Sequence, residues 1–421
     1  MTRHDIDAHD EFDASHAHHD PGPRCVGRTR TLKLHLRAAA TGFEVHAWGD
    51  SLPENTAERH VGHLYAGPQE IRRLVRQLHR DWATYLIDVE DPDGHRSYTF
   101  ADRFDLSEIT DQRQVDAMWR RLAEAGHELF QALFAGDRAL RALGERVARV
   151  LRGSTQVITV LSDDVVVPWA MLYVPKRIWA PLPADFEVEL DAFIGHRHHI
   201  EQVLTLPSVP GTEIQVSDGM SAGAYYDDRL DRIRDNGRPA PAIVSPIVKI
   251  LTQYGTVHER TSRDDLRDRL RTDGAHDHLL YFCCHCADAE VLMLGRDAAD
   301  GVTPENLQGW LRKGFTRSPL VVVNACRAGV TTSNSNGQLG TALLGRGAGC
   351  LIGPVVNVPT VFAGEFARRL FEMILPNHSD LRFGEAVRTV ARDFAHDHRN
   401  PLGLAYMVYH GIDAHFCRWE A

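Results

Sequence analysis

Apolar and polar residues alternate with period two in Leu32-Lys-Leu-His-Leu36 and again in Phe43-Glu-Val-His-Ala47, and the short segment ending Thr41-Gly42 between them predicts a β-hairpin. The period then lengthens. From about Pro68 to Trp82 and from about Val115 to Leu151, apolar residues such as Met118, Leu122, Leu129, Leu133, Leu140 and Leu143 recur at three- to four-residue intervals or their sums. That spacing predicts amphipathic helices with a sheet to cover. Gln156–Leu161 is the next expected strand, followed by the apolar segment Val165–Tyr173, with Ile194 and Gly195 after a proline-rich loop.

From about Thr212 strand-like and helix-like segments take turns. Expected strands are Glu213–Val216, Gly255–His258, His278–His285, Leu320–Cys326 and Gly349–Gly353. Expected helices are Ala242–Tyr254, Arg263–Arg271, Pro304–Lys313 with Thr303 as its cap, Leu339–Arg346, Thr360–Ile374 and Phe383–His398. Such alternation predicts an α/β fold, a largely parallel sheet covered by helices on both faces. The chain divides accordingly into a tail over residues 1–28, a smaller α+β half over 29–205 and an α/β domain over 212–421.

A chain of 421 residues with 43% apolar and 25% charged residues has the balance of a soluble globular protein of about two domains. Its net charge is −10, yet residues 1–20 hold six acids against Arg3, so half the excess lies in the tail and the body is only mildly acidic. No basic stripe marks a nucleic-acid footprint, and no apolar run reaches the roughly 18 residues that span a bilayer. The tail carries five histidines, many acids and Pro21-Gly-Pro23, too little apolar surface to repay ordering, and is read as solvated. Seven cysteines, three of them crowded at Cys283, Cys284 and Cys286, do not make a disulfide framework, and the acidic amino terminus is unlike a signal peptide. The expected compartment is the cytoplasm.

Candidate chemistry concentrates at two strand ends. His285 closes one apolar run and Cys326 closes another 41 residues later, which leaves room for the crossover that parallel strands require. Neighbouring parallel strands would present both groups at one sheet edge, and a cysteine nucleophile needs such a base to become a thiolate at neutral pH. The run Cys283 to Cys286 does not read as a zinc site, because a strand sends alternate residues to opposite faces and no second ligand pair is at hand. Cys284, Cys350 and Cys417 read as core residues and Trp169 as a packing residue. No metal or cofactor is expected.

His285, the strand Val323-Asn-Ala-Cys326-Arg-Ala-Gly329 and the glycine-rich stretch Gly337–Gly349 resemble, in order, parts of the CHAT family of caspase-like cysteine peptidases. Gly353-Pro354, Ala363–Phe371, Phe383–Val387 and Pro401–Gly411 are similar to that family's closing strand, helices and final aromatic-glycine run. Leu129–Phe134 and Pro168–Tyr173 are similar to the half that often precedes it. The resemblance spans roughly residues 30 to 415.

It implies a caspase-like sheet over 212–421, preceded by a half that is either regulatory or a degenerate caspase-like copy. It also implies thiol endopeptidase chemistry, a hydrolase in which Cys326 attacks a peptide carbonyl, His285 protonates the leaving amine and water hydrolyses the thioester. The main-chain amides of Cys326 and Cys286 are the candidate oxyanion hole. Relatives usually carry glycine after the histidine where this chain has Cys286, so the backbone there is αR or β-like, or the hole is assembled only on activation. In the caspase topology Asn324 would line the specificity pocket. Asp288 and Glu290 would make that pocket acidic for Arg or Lys, or else stand as solvated loop acids. The small, polar segment Arg327–Gln338 reads as a mobile loop over the cleft. It holds no Asp or Glu, which closes the route of maturation by cutting after aspartate, and activation by a bound protein partner or ligand is expected. A protein substrate and a place in bacterial antiviral defence or regulated death follow from the resemblance. The competing reading is a catalytically inactive interaction scaffold, favoured by Cys286 and by an amino-terminal half with no dyad of its own.

Overall fold

The chain builds its fold around a 13-stranded sheet, and those of its strands that are buried on both faces need apolar cover on both. The computed structural model describes residues 27–417 except 54–59, 91–97, 163, 205–211, 217–218, 233, 236–237, 240–241, 273–275, 288–290, 296–297, 327–334 and 376–380. The amino-terminal half contributes β1 (Leu32–Ala38), β2 (Phe43–Trp48), β3 (Val61–Leu64), α1 (Pro68–Trp82), α2 (Gln112–Phe134), α3 (Arg138–Leu151), β4 (Val157–Ser162), α4 (Ile194–Arg197) and β5 (His199–Val203). Next come β6 (Glu213–Gln215), β7 (Met220–Tyr226), β8 (Arg234–Asp235), β9 (Arg238–Pro239), α5 (Ser245–Tyr254), β10 (Gly255–Arg260), α6 (Arg263–Thr272) and β11 (Leu279–Ala287). The chain ends with β12 (Val291–Met293), β13 (Gly301–Val302), α7 (Pro304–Trp310), β14 (Leu320–Cys326), α8 (Ser335–Leu344), β15 (Cys350–Pro354), α9 (Thr360–Ile374), α10 (Phe383–Asp397), β16 (Tyr406–His410) and β17 (His415–Cys417).

In space the strands run β10-β7-β11-β14-β15-β16-β5-β4-β1-β2-β3. Pairing is parallel from β10 to β15 and again from β16 through β5 and β4 to β1. It is antiparallel between β15 and β16 and along β1, β2 and β3. The fold is therefore the mixed α/β arrangement expected, with a largely parallel sheet. Helices α5, α9 and α10 pack together in one group and α6, α7 and α8 in another, and strands such as β15 are buried at every position. Thr303 caps α7 through a reciprocal capping box with Asn306.

Three strands depart from the sequence pattern. β7 lies between β10 and β11, yet its run Met220-Ser-Ala-Gly-Ala-Tyr-Tyr226 is too rich in small residues to show a period. β5 is polar in sequence and buried throughout, because distant segments satisfy it. Glu201 accepts hydrogen bonds from Arg30 Nε at 3.0 Å, Thr159 Oγ1 at 2.7 Å and the Ile412 amide at 3.1 Å, and Gln202 donates to the Val165 carbonyl at 3.2 Å. Glu213–Gln215 is a strand as expected, but it pairs with β17 in a separate two-stranded sheet.

The two halves of the chain meet within the main sheet, where β5 and β16 pair with Val408 opposite Glu201. Asp413, with a side chain 2% exposed, accepts from Arg28 Nε at 2.7 Å, from the Arg28 amide at 2.9 Å and from Arg30 Nη1. Burial opposes ionisation of Asp413, but Arg30 and Arg28 outweigh it and hold the carboxyl below the usual carboxylate range. Asp413→Asn is expected to cost about 3 kcal/mol, the order seen when a buried charge loses its partner, read as a lower denaturation midpoint. A depressed folded-state pKa contributes stability that is present above the ordinary value of about 3.9 and lost as pH falls through the folded value. The gap between wild type and variant should accordingly narrow only below about pH 4.

Candidate active site

β11 sits between β7 on one side and β14 on the other, all three parallel. Its register with β14 runs from Leu279 opposite Leu320 to His285 opposite Cys326, so the backbone brings the predicted pair to one level at the carboxyl ends of adjacent strands. β7 reaches only the level of Cys283, which faces Tyr226. Beyond that level β12 takes its place, antiparallel, with Met293 opposite His285 and Leu292 opposite Cys286. The pleat then separates two environments. His285 and Met293 are half-buried, whereas Cys286 and Leu292 are buried. Cys284 is buried as well, so the cysteines flanking His285 are core side chains.

Cys286 lies in extended backbone within β11 and is not among the residues of positive φ, so the backbone there is β-like rather than αR. Asp288, Glu290 and the loop Arg327–Asn334 lie outside the described residues. Cys350 is fully buried, and burial pushes its thiol well above the ordinary value, with Glu201 adding to the effect, which makes it inert as a nucleophile. Cys417 is half-buried on β17 rather than in the core, and Trp169 is buried in a short 3₁₀ turn.

Asn324 does not sit at an open pocket wall. It is 1% exposed, its Nδ2 donates to the Ala363 carbonyl of α9 at 2.7 Å and to Tyr281 Oη at 3.3 Å, and its Oδ1 accepts from Tyr406 Oη at 2.5 Å. An amide so engaged ties β14 to β11, α9 and β16, with both of its hydrogens donated inside the core.

Asp227 is the charged neighbour of the site that sequence reasoning missed. It follows β7 directly, is 1% exposed, and donates its amide to the Cys283 carbonyl at 3.0 Å, which lengthens the β7–β11 ladder by one bond. Its carboxylate takes Arg229 Nε at 2.7 Å and Arg229 Nη2, and the same Nη2 reaches the Gly295 carbonyl at 3.2 Å. Burial pushes the Asp227 carboxyl up. The bonds and charge of Arg229 outweigh it, with a smaller attraction from His285, and the group titrates below its usual range. Asp227 is thus a fixed negative charge in the field of His285. Its only trace in the sequence is an acidic pair after two tyrosines, which means little until Met220–Tyr226 is known to be a strand beside β11.

A family model described as the CHAT domain matches residues 123–419. No curated protein sequence matches the chain. Among solved structures, the Saccharomyces cerevisiae separase-securin complex aligns with a TM-score of 0.38 and 12% identity over 82% of this chain and 23% of that one. The chain therefore spans about a quarter of the separase chain it matches. The complex of Porphyromonas gingivalis RgpB pro- and mature domains aligns with a TM-score of 0.39 and 11% identity, over 82% of this chain and 76% of that one. No helix among the described residues is long and apolar enough to cross a membrane. Matched by its family model over well more than half its length, the chain belongs to the CHAT family of caspase-like cysteine peptidases.

Proposed function

We propose that the chain is a cysteine endopeptidase in which Cys326 is the nucleophile and His285 its base and acid. What carries this reading is the opposition of His285 and Cys326 at the carboxyl ends of adjacent parallel strands in a chain of the CHAT family. The thiol proton passes to His285 as Sγ bonds to the substrate carbonyl carbon, and the main-chain amides of Cys326 and Cys286 hold the oxyanion. His285 returns the proton to the departing amine as the C–N bond breaks, leaving a thioester. Water, deprotonated by the same imidazole, then adds to the thioester, and its collapse releases the acid and restores the thiol.

The substrate is a protein, and the cytoplasm, where a nucleophilic thiol stays reduced, is the setting. Asp288 and Glu290, on the connection from β11 to β12, are our candidates for contact with a basic substrate side chain. Residues 327–334, between β14 and α8 in the chain, are the segment we assign to contact with an activating partner or ligand. The resemblance extends this to an effector of bacterial defence or regulated death. Asn324 we assign to holding β14 in place rather than to substrate contact, on the strength of its buried hydrogen bonds.

Cys326→Ala and His285→Ala should each lower cleavage of a peptide library by about a thousandfold or more while leaving the circular dichroism spectrum unchanged. Undiminished cleavage by either variant would sink the proposal. Turnover of the purified chain should rise when its co-purifying partner or ligand is added, and full turnover without one contradicts the activation step. Asn324→Ala should cost about 2 kcal/mol in urea denaturation, because it removes three buried hydrogen bonds. Its residual cleavage should keep the wild-type site preference, and a changed preference would return Asn324 to the specificity pocket.

A further inference from the structure

At the carboxyl end of β11, His285 stands between two strands. Cys326 of β14 is opposite it on one side and Met293 of β12 is opposite it on the other. Neighbouring strands lie about 4.8 Å apart, so positions 326, 285 and 293 form a row at one level across the strand ends. Val291 and Met293 of β12 are half-buried, whereas Leu292 between them is buried. A methionine given wholly to the core would be enclosed as Leu292 and Leu294 are, at 0% and 2% exposure. The strand is also held in place. It pairs with β11 and with β13, and Arg229, bound to Asp227, reaches the Gly295 carbonyl just past its end at 3.2 Å.

The order of the row gives Met293 a direction relative to the reaction. The sulfur bonds to the substrate's carbonyl carbon, and the imidazole has to reach the amide nitrogen one bond away to protonate it as it leaves. A substrate crossing the strand ends therefore carries that nitrogen toward His285. Its next residue lies beyond the imidazole, over β12, where the side chains on the face of His285 are Met293 and Val291.

We propose that Met293 is a specificity-determining residue, which with Val291 forms an apolar shelf for the side chain of the substrate residue directly after the scissile bond. The thioether is unbranched and polarizable, so the shelf adapts to apolar side chains of different shape and rejects charged ones. This inference rests on the peptidase reading and adds to it the chemistry of the leaving fragment.

Cleavage of a peptide library by the full chain, with its co-purifying partner or ligand present and the cuts mapped by mass spectrometry, tests it. Apolar residues should be enriched directly after the cut. Met293→Glu should lower kcat/KM for such peptides about tenfold or more and move the preference toward Lys and Arg, while Met293→Leu keeps the wild-type profile. Met293→Gln, uncharged and of similar length, replaces Met293→Glu if that variant does not fold, and should lose the apolar preference. A wild-type profile indifferent to the residue after the cut, or one that the polar variant leaves unaltered, would overturn the inference and leave the dyad standing. If the library is not cut, alkylation of Cys326 decides. N-hexyl iodoacetamide should outpace iodoacetamide, and the ratio of the two rates should fall about fivefold in the polar variant. The same ratio in both chains overturns the role of Met293, whereas slow, unselective labelling of the wild type removes the peptidase reading and this inference with it.

Discussion

The register of β11 against β14 is the constraint on which the rest of this molecule depends. Parallel strands hold residues of equal level side by side, so one residue of slip would set Ala325 opposite His285 and carry each apolar side chain to the wrong face. The burial of Leu279–Cys284 and Leu320–Asn324 makes such a slip expensive. Asn324 adds a directional lock, since its amide meets partners on α9, β11 and β16 only in this register. Hydrophobic packing and one buried polar network thus place two reactive residue types together that are 41 positions apart in the chain.

The site arises where the fold stops covering the sheet. Deep in β11 and β14 the side chains are enclosed, but at the carboxyl ends β7 gives out and the short β12 takes over, which leaves His285 half-buried. Ligand sites in open α/β sheets belong at such strand ends. The corner where β7 ends is fixed by the Asp227–Arg229 pair, which also spans to Gly295 beyond β12. Further along the sheet the seam of β5 and β16 is held by Glu201, Asp413 and two arginines, Arg28 and Arg30, so a segment just before β1 closes against the turn after β16.

How much of this was legible in the sequence follows from where each interaction finds its partner. β11 and β14 announce themselves as unbroken apolar runs because both faces are covered, and α7 announces its start because Thr303 and Asn306 are three residues apart. The thiol-imidazole pair was legible for the same reason, each residue closing such a run. β7 was not, since Ala222, Gly223 and Ala224 carry no period. β5 was not, since Glu201 and Gln202 look solvated until Arg30, Thr159 and Val165 arrive from elsewhere in the chain. Asn324 looked like a pocket residue because its burial depends on α9 and on Tyr406, 82 residues away. Asp227 became visible only once β7 was placed beside β11.

The central claim is that Cys326 owes its reactivity to His285. The most direct measurement is the rate of alkylation at each cysteine by iodoacetamide near neutral pH, mapped by peptide mass spectrometry in the wild type and in His285→Ala. Selective, rapid labelling of Cys326 that disappears in the variant is the predicted result. Slow labelling spread over the cysteines, or a Cys326 rate indifferent to His285, would contradict it and leave a scaffold in place of an enzyme.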